Sequence, residues 1–285
     1  MQVLWVLENI KTVKEKHLFY TKLDSLLLLS SVFLYKKNHP NDTCILYCDK
    51  STKDFLKTLN ALDLWDEVKN LAINTFIDKS VFWASSKLEV LRNIKEPTIV
   101  MDNDFLIYKN ISEMLNDKPV FTHKEDGTMY YPTANDPFIA EISDMISRPV
   151  PQAINCSFCY FPDYKFANSY AQFSLEMMER FTKLKAPNST FLIFAEQLTL
   201  RHLLDYHRVE YTTLMKQEWV CETKVFRATE KGIIAPPNHE LYFKHYWMDK
   251  PIIRKDKNTK EYKTLYNILK KQPELNLEPL KELQN

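Results

Sequence analysis

Glycine is nearly absent from this chain, since only Gly127 and Gly232 occur among its 285 residues. Average usage would give about twenty. A dinucleotide-binding fingerprint, a Walker A loop and the nucleophile elbow of a hydrolase each need closely spaced glycines, so the sequence excludes all three. If phosphate groups are bound, a metal ion or basic side chains must make most of the contacts.

Other scarcities narrow the class of protein further. The five cysteines are an odd number, which argues against a disulfide framework and favours a reducing compartment. A formal net charge of +1 offers no field that would attract nucleic acid, so we expect no such partner. The strongest apolar run, 26–35, is about half a membrane span, and the first residues lack a basic leader. We expect a cytoplasmic protein without a transmembrane segment, although it could work beside a membrane.

Apolar strands alternate with helices through the first half of the chain. Strands are predicted at 3–7, 43–48 and 98–101, and helices at 17–37, 52–62 and 81–94. Ser51 and Ser80 are the predicted N-caps of the last two helices. This alternation predicts a three-layer α/β/α sandwich around a mainly parallel sheet. The chain from 256 to 285 is basic and polar, which predicts a solvated C-terminal tail with a helix at 262–271.

Two carboxylates follow the strand at 98–101, in the segment TIVMDNDFLIYKNI. Residues two apart in an extended segment point the same way, so Asp102 and Asp104 can converge on one cation while Asn103 faces elsewhere. Hard carboxylate oxygens favour Mg²⁺ or Mn²⁺, which in turn can hold the oxygens of a diphosphate. An Asp-Asn-Asp turn at the surface has the same three letters, and the motif alone does not decide between the two.

The context of these aspartates resembles the metal-dependent nucleotide-sugar glycosyltransferases of the GT-A fold, which carry an apolar strand ending in Asp-x-Asp. Four further stretches resemble the glycogenin-like branch with its capsular and mannosyl-type transferases: FWASSKLEVL at 82–91, NCSFCYFPD at 155–163, AEQLTL at 195–200 and HYWMDKP at 245–251. Two departures from the family pattern are visible. Trp247 and Met248 stand where the late motif carries a glycine, and Cys156-Ser157 replaces the glycine expected after Asn155.

The resemblance implies a role for several individual residues. The implied ligands of Mn²⁺ or Mg²⁺ are Asp102, Asp104 and His245. The implied contacts to the nucleoside diphosphate, with UDP favoured, are Glu8, Lys87, Asn103 and Lys250. The implied contacts to donor or acceptor sugar are Asn155, Gln197 and Trp247. The implied partners are a nucleoside-diphosphate sugar and a saccharide or glycoconjugate acceptor.

The resemblance also implies the mechanism and the division of the chain. Asp104 and Glu196 are the candidate catalytic residues, with Glu196 either a base for inversion or, as the glycogenin-like motifs favour, a sugar-binding group in a retaining enzyme. One catalytic domain is expected at 1–255, with a nucleotide-binding half at about 1–125 and an acceptor-binding half at about 126–255. Aromatic faces for the saccharide could come from Tyr130, Tyr131, Trp219 and Trp247.

Structural interpretations of the same residues stay open at this point. Lys87 could be an exposed helix residue, His245 a core histidine, and Glu196 a group that stabilises a helix N-terminus. Asp104 is expected to face the surface, so that Asp104→Ala would leave the fold intact. Cys156 and Cys159 lie three apart on a predicted strand and so face opposite sides, which favours core packing over a zinc site.

Two rival functions also remain. A haloacid-dehalogenase-like phosphatase also has an apolar strand ending in Asp-x-Asp, but Asp102 lies too late in the chain and two glycines leave no downstream glycine-rich metal motif. The other rival is a non-catalytic protein that binds a sugar nucleotide or a glycan.

Overall fold

The computed structural model describes residues 1–9, 21–72, 76–126, 137–146, 152–185, 190–256, 258–281 and 283. The strands in these ranges are β1 (Gln2–Leu7), β2 (Thr43–Cys48), β3 (Glu67–Asn70), β4 (Thr98–Met101), β5 (Phe105–Ile107), β6 (Val120–Phe121), β7 (Lys124–Asp126), β8 (Gln152–Ile154), β9 (Phe158–Phe161), β10 (Thr212–Thr213), β11 (Gln217–Val220), β12 (Val225–Ala228) and β13 (Phe243–His245). The α-helices are α1 (Lys22–Asn38), α2 (Lys50–Thr58), α3 (Ser85–Leu91), α4 (Pro137–Ala140), α5 (Tyr164–Lys183), α6 (Thr190–Ile193), α7 (Thr199–Tyr206), α8 (Lys250–Lys255) and α9 (Lys260–Lys270). A π-helical turn, Phe194–Leu198, joins α6 to α7.

Seven strands form the central sheet in the order β10-β6-β9-β4-β1-β2-β3. Strands β1 to β4 run parallel, β10 runs parallel to β6, and β9 runs antiparallel to β4 and β6. The predicted α/β class with a mainly parallel central sheet is confirmed. Two smaller sheets, β12-β11-β7-β8 and β13-β5, were not anticipated by the sequence pattern.

The two faces of the central sheet bury two separate apolar cores. Side chains alternate along each strand, so Leu4 of β1 packs among residues of α3, α5 and α7, while Val3 and Trp5 pack among residues of α1 and α9. The indole Nε1 of Trp5 donates to Ser31 Oγ over 3.1 Å, which ties β1 to α1. Helices therefore cover both faces of the sheet, as the three-layer prediction requires.

The helix starts differ from the predicted ones. Helix α2 begins at Lys50 because Asp49, rather than Ser51, accepts the backbone N–H of Thr52 over 3.2 Å. Helix α3 begins at Ser85, four residues later than predicted. The hydroxyl of Ser80 instead donates to Asp78 in the preceding turn. Both cap predictions were wrong because a neighbouring aspartate competes for the same backbone and hydroxyl groups.

The C-terminal segment packs into the molecule. Helix α9 lies against α1, and Leu265, Leu269 and Leu280 are fully buried in the core on that side of the sheet. The prediction of a helix here is correct, but the prediction of a solvated tail is wrong. Its apolar residues recur at helical spacing and cover an otherwise exposed face of α1.

None of the helices within the described ranges combines the length and the apolar character that a membrane-spanning helix requires.

Candidate active site

A cleft of about 220 Å³ opens at the carboxyl ends of the parallel strands β1 and β4. Its lining includes seven residues singled out from the sequence: Glu8, Lys87, Asp102, Asn103, Asp104, Glu196 and Lys250. Glu8 follows β1 and Asp102 follows β4, so parallel pairing brings both to the same edge of the sheet. Lys87 arrives from α3, Glu196 from the π-helical turn and Lys250 from the start of α8.

Lys87 is a buried charge that joins two of the carboxylates. Its Nζ lies 3.0 Å from Asp102 Oδ1 and 2.7 Å from Glu196 Oε1, and it donates to the carbonyl of Cys156 over 3.1 Å. Burial opposes the charged form, but Asp102 and Glu196 hold the pKa of Lys87 well above its ordinary value. The interpretation of Lys87 as an exposed helix residue is therefore wrong.

Glu196 lies inside a helix rather than at its start. The π-helical turn continues directly from α6 into α7, so the dipole of a helix N-terminus does not explain this carboxylate. Burial raises the pKa of Glu196, and the charge of Lys87 acts in the opposite direction. Single π-helical turns inside α-helices occur often at functional sites, where they change the direction of a side chain.

Asp104 is buried, with 8% of its side chain exposed. Its Oδ2 lies 2.8 Å from Lys250 Nζ, and its Oδ1 lies 3.6 Å from His245 Nε2. Burial acts to raise the pKa of Asp104, but Lys250 and His245 lower it to about 2. The expectation of a surface-facing carboxylate is wrong, because β13 pairs with β5 and covers it.

The pairing of β13 with β5 brings His245 to the aspartates. The two strands are antiparallel with His245 opposite Phe105, and the N–H of Tyr246 donates to the carbonyl of Asp104 over 2.9 Å. The ring of His245 is half-buried between Phe105 and Trp247, at 5.9 and 5.8 Å between ring centroids. Burial lowers the pKa of His245 to about 4, so its imidazole is neutral at physiological pH.

A buried hydrogen-bond network fixes which nitrogen of His245 carries the proton. The amide nitrogen of Asn155 donates to Glu125 Oε1 over 2.7 Å, so its oxygen accepts from the Ser157 hydroxyl over 2.6 Å. That hydroxyl has one hydrogen, and its shortest contact, 2.6 Å to Asn155, takes it, so Thr122 Oγ1 at 2.8 Å donates to Ser157 Oγ. His245 Nδ1, 3.3 Å from Ser157 Oγ, must then be the donor. The lone pair of Nε2 therefore faces Asp104.

Asp24 is a site residue that the sequence analysis missed. Its Oδ1 lies 3.5 Å from Lys250 Nζ, and Arg254 Nη2 lies 3.0 Å from its Oδ2. Thr21, the N-cap of α1, donates its hydroxyl to the same oxygen over 2.6 Å. A carboxylate within the apolar run KLDSLLLL was the available signal, because a buried acid requires a partner. Asp24, itself paired with Arg254, holds Lys250 in front of Asp104.

Glu8 is engaged at the rim of the cleft. Lys79 Nζ forms an ion pair with Glu8 Oε2, and the hydroxyl of Ser86 donates to the same oxygen. Lys79 was not singled out from the sequence. Lys79 is therefore the third lysine, after Lys87 and Lys250, that pairs with a carboxylate of the cleft.

The three residues assigned to the sugars do not line one common cavity. Asn155 is buried beneath the site in the network that holds Ser157. Gln197 is half-buried and is not part of the cleft lining. Trp247 lines a second cavity together with His245. Trp219 is buried and packs edge-on against Trp247, so the expectation that it offers a free aromatic face is wrong, and Tyr130 and Tyr131 lie outside the described residues.

The residues present fit a divalent cation in part. Nε2 of His245 and Oδ1 of Asp104 lie 3.6 Å apart, and two ligands of one Mg²⁺ ion lie about 3 to 4 Å apart. Asp102 meets Lys87 instead. Within the described part of the chain, no three His, Cys, Asp or Glu side chains form a group that could hold a metal ion. A third protein ligand would therefore require Asp102 to exchange its contact with Lys87.

Comparisons of the chain with protein-family models and with curated proteins find no match. Among solved structures, the chain is similar to the galactosyltransferase LgtC in complex with donor and acceptor sugar analogs, at 9% identity and a TM-score of 0.39 over 69% of this chain and 71% of that one. It is similar to the PaToxG glycosyltransferase at 11% identity and a TM-score of 0.42, over 72% of this chain and 69% of that one. It is also similar to the glycosyltransferase GlyE of Streptococcus pneumoniae TIGR4, at 8% identity and a TM-score of 0.40, over 75% of this chain and 44% of that one. These similarities concern the backbone arrangement alone.

Proposed function

We propose that the protein is a glycosyltransferase that moves a sugar from a nucleoside-diphosphate sugar, with UDP the favoured nucleotide, to a saccharide acceptor. One observation carries the proposal: the cleft at the strand ends holds Asp102 and Asp104, each within 3.0 Å of a buried lysine nitrogen. Paired acids and lysines on one wall can bind a phosphate-rich ligand, because each lysine can exchange a carboxylate for a phosphate oxygen.

The charge of the cleft supports the need for a divalent cation. Its lining carries the carboxylates of Glu8, Asp102, Asp104 and Glu196 against the ammonium groups of Lys87 and Lys250, and Lys79 pairs with Glu8, which leaves one carboxylate in excess. A diphosphate would bring further negative charge into a wall that is already negative, which costs free energy unless a cation enters with it. The proposed ion is Mn²⁺ or Mg²⁺.

Asp104 and His245 would hold this ion, and Asp102 would join them on releasing Lys87. When bound, the ion would neutralise the charge that develops on the departing diphosphate. Lys87 and Lys250 would bind the diphosphate oxygens, and Asn103, in the cleft lining between the two aspartates, would contact the donor.

Retention of configuration is the stereochemical outcome we favour. A base for inversion must be free to take the proton of the acceptor hydroxyl, whereas Glu196 Oε1 lies 2.7 Å from the Lys87 ammonium group. Glu196 would then hold Lys87 in place and contact the sugars. In a retaining transfer, an oxygen of the departing diphosphate can accept the proton of the acceptor hydroxyl.

The deciding experiment follows the products. Purified protein is incubated with UDP-sugars, Mn²⁺ and a panel of saccharides, and nucleotide, inorganic phosphate and the new glycosidic bond are quantified by NMR. Release of UDP with an α-linkage formed from an α-configured donor is the expected result. Release of inorganic phosphate would identify a phosphatase, and binding without turnover would identify a binding protein. A β-linkage, with Glu196→Gln inactive but still able to bind UDP, would make Glu196 the base of an inverting enzyme.

A further inference from the structure

A second cavity, of about 370 Å³, lies beside His245. His245 contacts Asp104 and also lines this cavity, so one side chain connects the two sites. The lining includes three imidazoles, an amide and several aromatic side chains, among them His123, Gln217, Phe226, His239, His245 and Trp247. Of these, only His245 and Trp247 were singled out from the sequence.

Three hydrogen-bonding atoms on residues of this wall are buried without a partner in the described ranges of the chain. They are Nδ1 of His123, Oε1 of Gln217 and Nδ1 of His239. Buried polar atoms are nearly always hydrogen-bonded, because losing water without a replacement is costly. Their convergence on one cavity indicates a ligand that offers several hydrogen-bonding groups.

The chemistry of the wall favours an uncharged ligand. Burial lowers the pKa of His239, which keeps this imidazole neutral near pH 7 with one donor and one acceptor. The nearby charges of Lys244 and Asp249 form an ion pair 3.0 Å long, and the other charged group of the lining, the exposed carboxylate of Glu240, repels an anion and can accept from hydroxyl groups. Paired donors and acceptors match hydroxyl groups, which both donate and accept.

Trp247 supplies a supported aromatic surface beside these polar atoms. It is half-buried and stacks on His245 with an interplanar angle of 28°. Trp219 braces it edge-on at 5.3 Å between ring centroids, and Phe226 packs against Trp219 at 5.2 Å. An aromatic face held in this way can pack against the C–H groups of a sugar ring while the wall binds its hydroxyls.

We propose that this cavity binds a neutral saccharide, the acceptor of the transfer. Trp247 packs against the sugar ring, and His123, Gln217 and His239 bind its hydroxyl groups. The proposal rests on the proposed function only in that it identifies the bound saccharide as the acceptor of the transfer. The chemistry of the wall requires only a polyhydroxylated, uncharged ligand.

The test measures saccharide binding without nucleotide or metal. Saturation-transfer NMR is recorded with lactose, maltose and the methyl glycosides of glucose, galactose and mannose. We expect at least one to bind, and we expect its affinity to fall at least tenfold in Trp247→Ala and in the double variant Gln217→Ala/His239→Ala. His207→Ala, an exposed histidine at the end of α7, is the control and should bind as the unaltered protein does. Circular dichroism and the Tm of each variant verify folding, and the double variant decides if Trp247→Ala does not fold.

The outcomes separate this proposal from the proposed function. Binding that survives in a folded double variant, or no binding by the unaltered protein, overturns the cavity as a saccharide site. If UDP with Mn²⁺ still raises the Tm in that case, the donor site stands without this acceptor site. If a saccharide binds but no nucleoside diphosphate does, the cavity is supported as a saccharide site and the proposed glycosyltransferase activity is refuted. Saccharide binding that requires UDP would show that the site forms only with nucleotide bound and would overturn the cavity as a preformed saccharide site.

Discussion

At the scale of single residues, the cleft depends on buried lysines placed between carboxylates. Lys87 contacts Asp102 and Glu196, and Lys250 contacts Asp104 and Asp24. A buried ion pair adds little net stability, but removing one partner leaves an uncompensated charge. The same lysines would be released to a phosphate ligand.

Lys87→Met should lower the free energy of unfolding by about 3 kcal/mol at pH 8, because it leaves Glu196 charged and buried. Burial raises the pKa of Glu196 in the folded protein, so stability linked to its protonation is present at low pH and lost as the pH rises through that pKa. The loss caused by Lys87→Met should therefore shrink toward pH 4. Urea unfolding at pH 4, 6 and 8 measures it. Lys57→Met, at an exposed position of α2, is the control, and an equal loss at every pH would refute the pairing.

Asp104→Asn should remove part of the acid sensitivity of the fold. The pKa of Asp104 is about 2 in the folded protein, below the ordinary value of about 3.9, so its ionised form stabilises the fold above about pH 4. That contribution, about 2 kcal/mol, is lost as the pH falls from about 4 to about 2. The difference in the free energy of unfolding between the unaltered protein and Asp104→Asn should shrink by about 2 kcal/mol as the pH falls from about 4 to about 2. Asp63→Asn, at an exposed position outside the cleft, is the control, and parallel curves for Asp104→Asn would contradict the prediction.

Ser157→Ala should weaken Mn²⁺ binding about 10- to 100-fold, the usual effect of removing a group that orients a ligating histidine. The Ser157 hydroxyl accepts from His245 Nδ1 and so keeps the Nε2 lone pair toward Asp104. Electron paramagnetic resonance of free Mn²⁺ measures the affinity directly. Ser174→Ala, a buried serine of α5, is the control. Unchanged affinity in folded Ser157→Ala would show that another group orients the ring.

At the scale of elements, three features bring distant residues to the strand ends. Pairing of β13 with β5 places His245 beside Asp104, the π-helical turn directs Glu196 toward Lys87, and α8 delivers Lys250. Helix α9 does not reach the cleft but packs on α1, the helix that carries Asp24. Packing of the C-terminal segment therefore supports α1, and α1 in turn positions Lys250 through Asp24.

Leu269→Ala in α9 should lower the free energy of unfolding by about 2 to 5 kcal/mol, since the side chain is fully buried and its removal leaves a cavity. Urea unfolding at neutral pH is the measurement. Ile252→Ala in α8, where the side chain is 65% exposed, is the matched control and should cost far less. Equal small effects at both positions would indicate that α9 does not pack on α1 in solution.

At the scale of the whole molecule, the near-neutral chain concentrates negative charge at one edge of its sheet. The formal net charge is +1, yet the cleft lining has four carboxylates against its own two lysines and Lys79, the partner of Glu8. This asymmetry should make nucleotide binding depend on a divalent cation.

UDP should raise the Tm when Mn²⁺ is present and should leave it unchanged in excess EDTA, because a ligand stabilises the fold in proportion to its occupancy. Differential scanning fluorimetry with UDP, GDP and ADP measures both the dependence and the preference. UMP is the control for the diphosphate. An equal rise in EDTA would show that Lys87 and Lys250 suffice, and no response to any nucleoside diphosphate would contradict the donor site.

Much of this fold could be read from local patterns in the sequence. Strands β2 and β4 begin and end where predicted, because apolar periodicity is a property of a few neighbouring residues. Helix starts were less predictable, since Asp49 competed with Ser51 for the same N–H groups. The pairing of β5 with β13 was not predicted, because which strands pair depends on the tertiary fold.

The sequence by itself determined that carboxylates end parallel strands at one edge, because strand direction follows from the alternation of strands and helices. Only the tertiary structure decided their partners. Lys87 meets Asp102 and Glu196, and Lys250 meets Asp104 and Asp24, across long stretches of chain. Such pairs depend on how helices pack on the sheet, and no local periodicity encodes that packing. The cavity of His123, Gln217 and His239 arose in the same way, from strands and turns that are separate in sequence and adjacent in space.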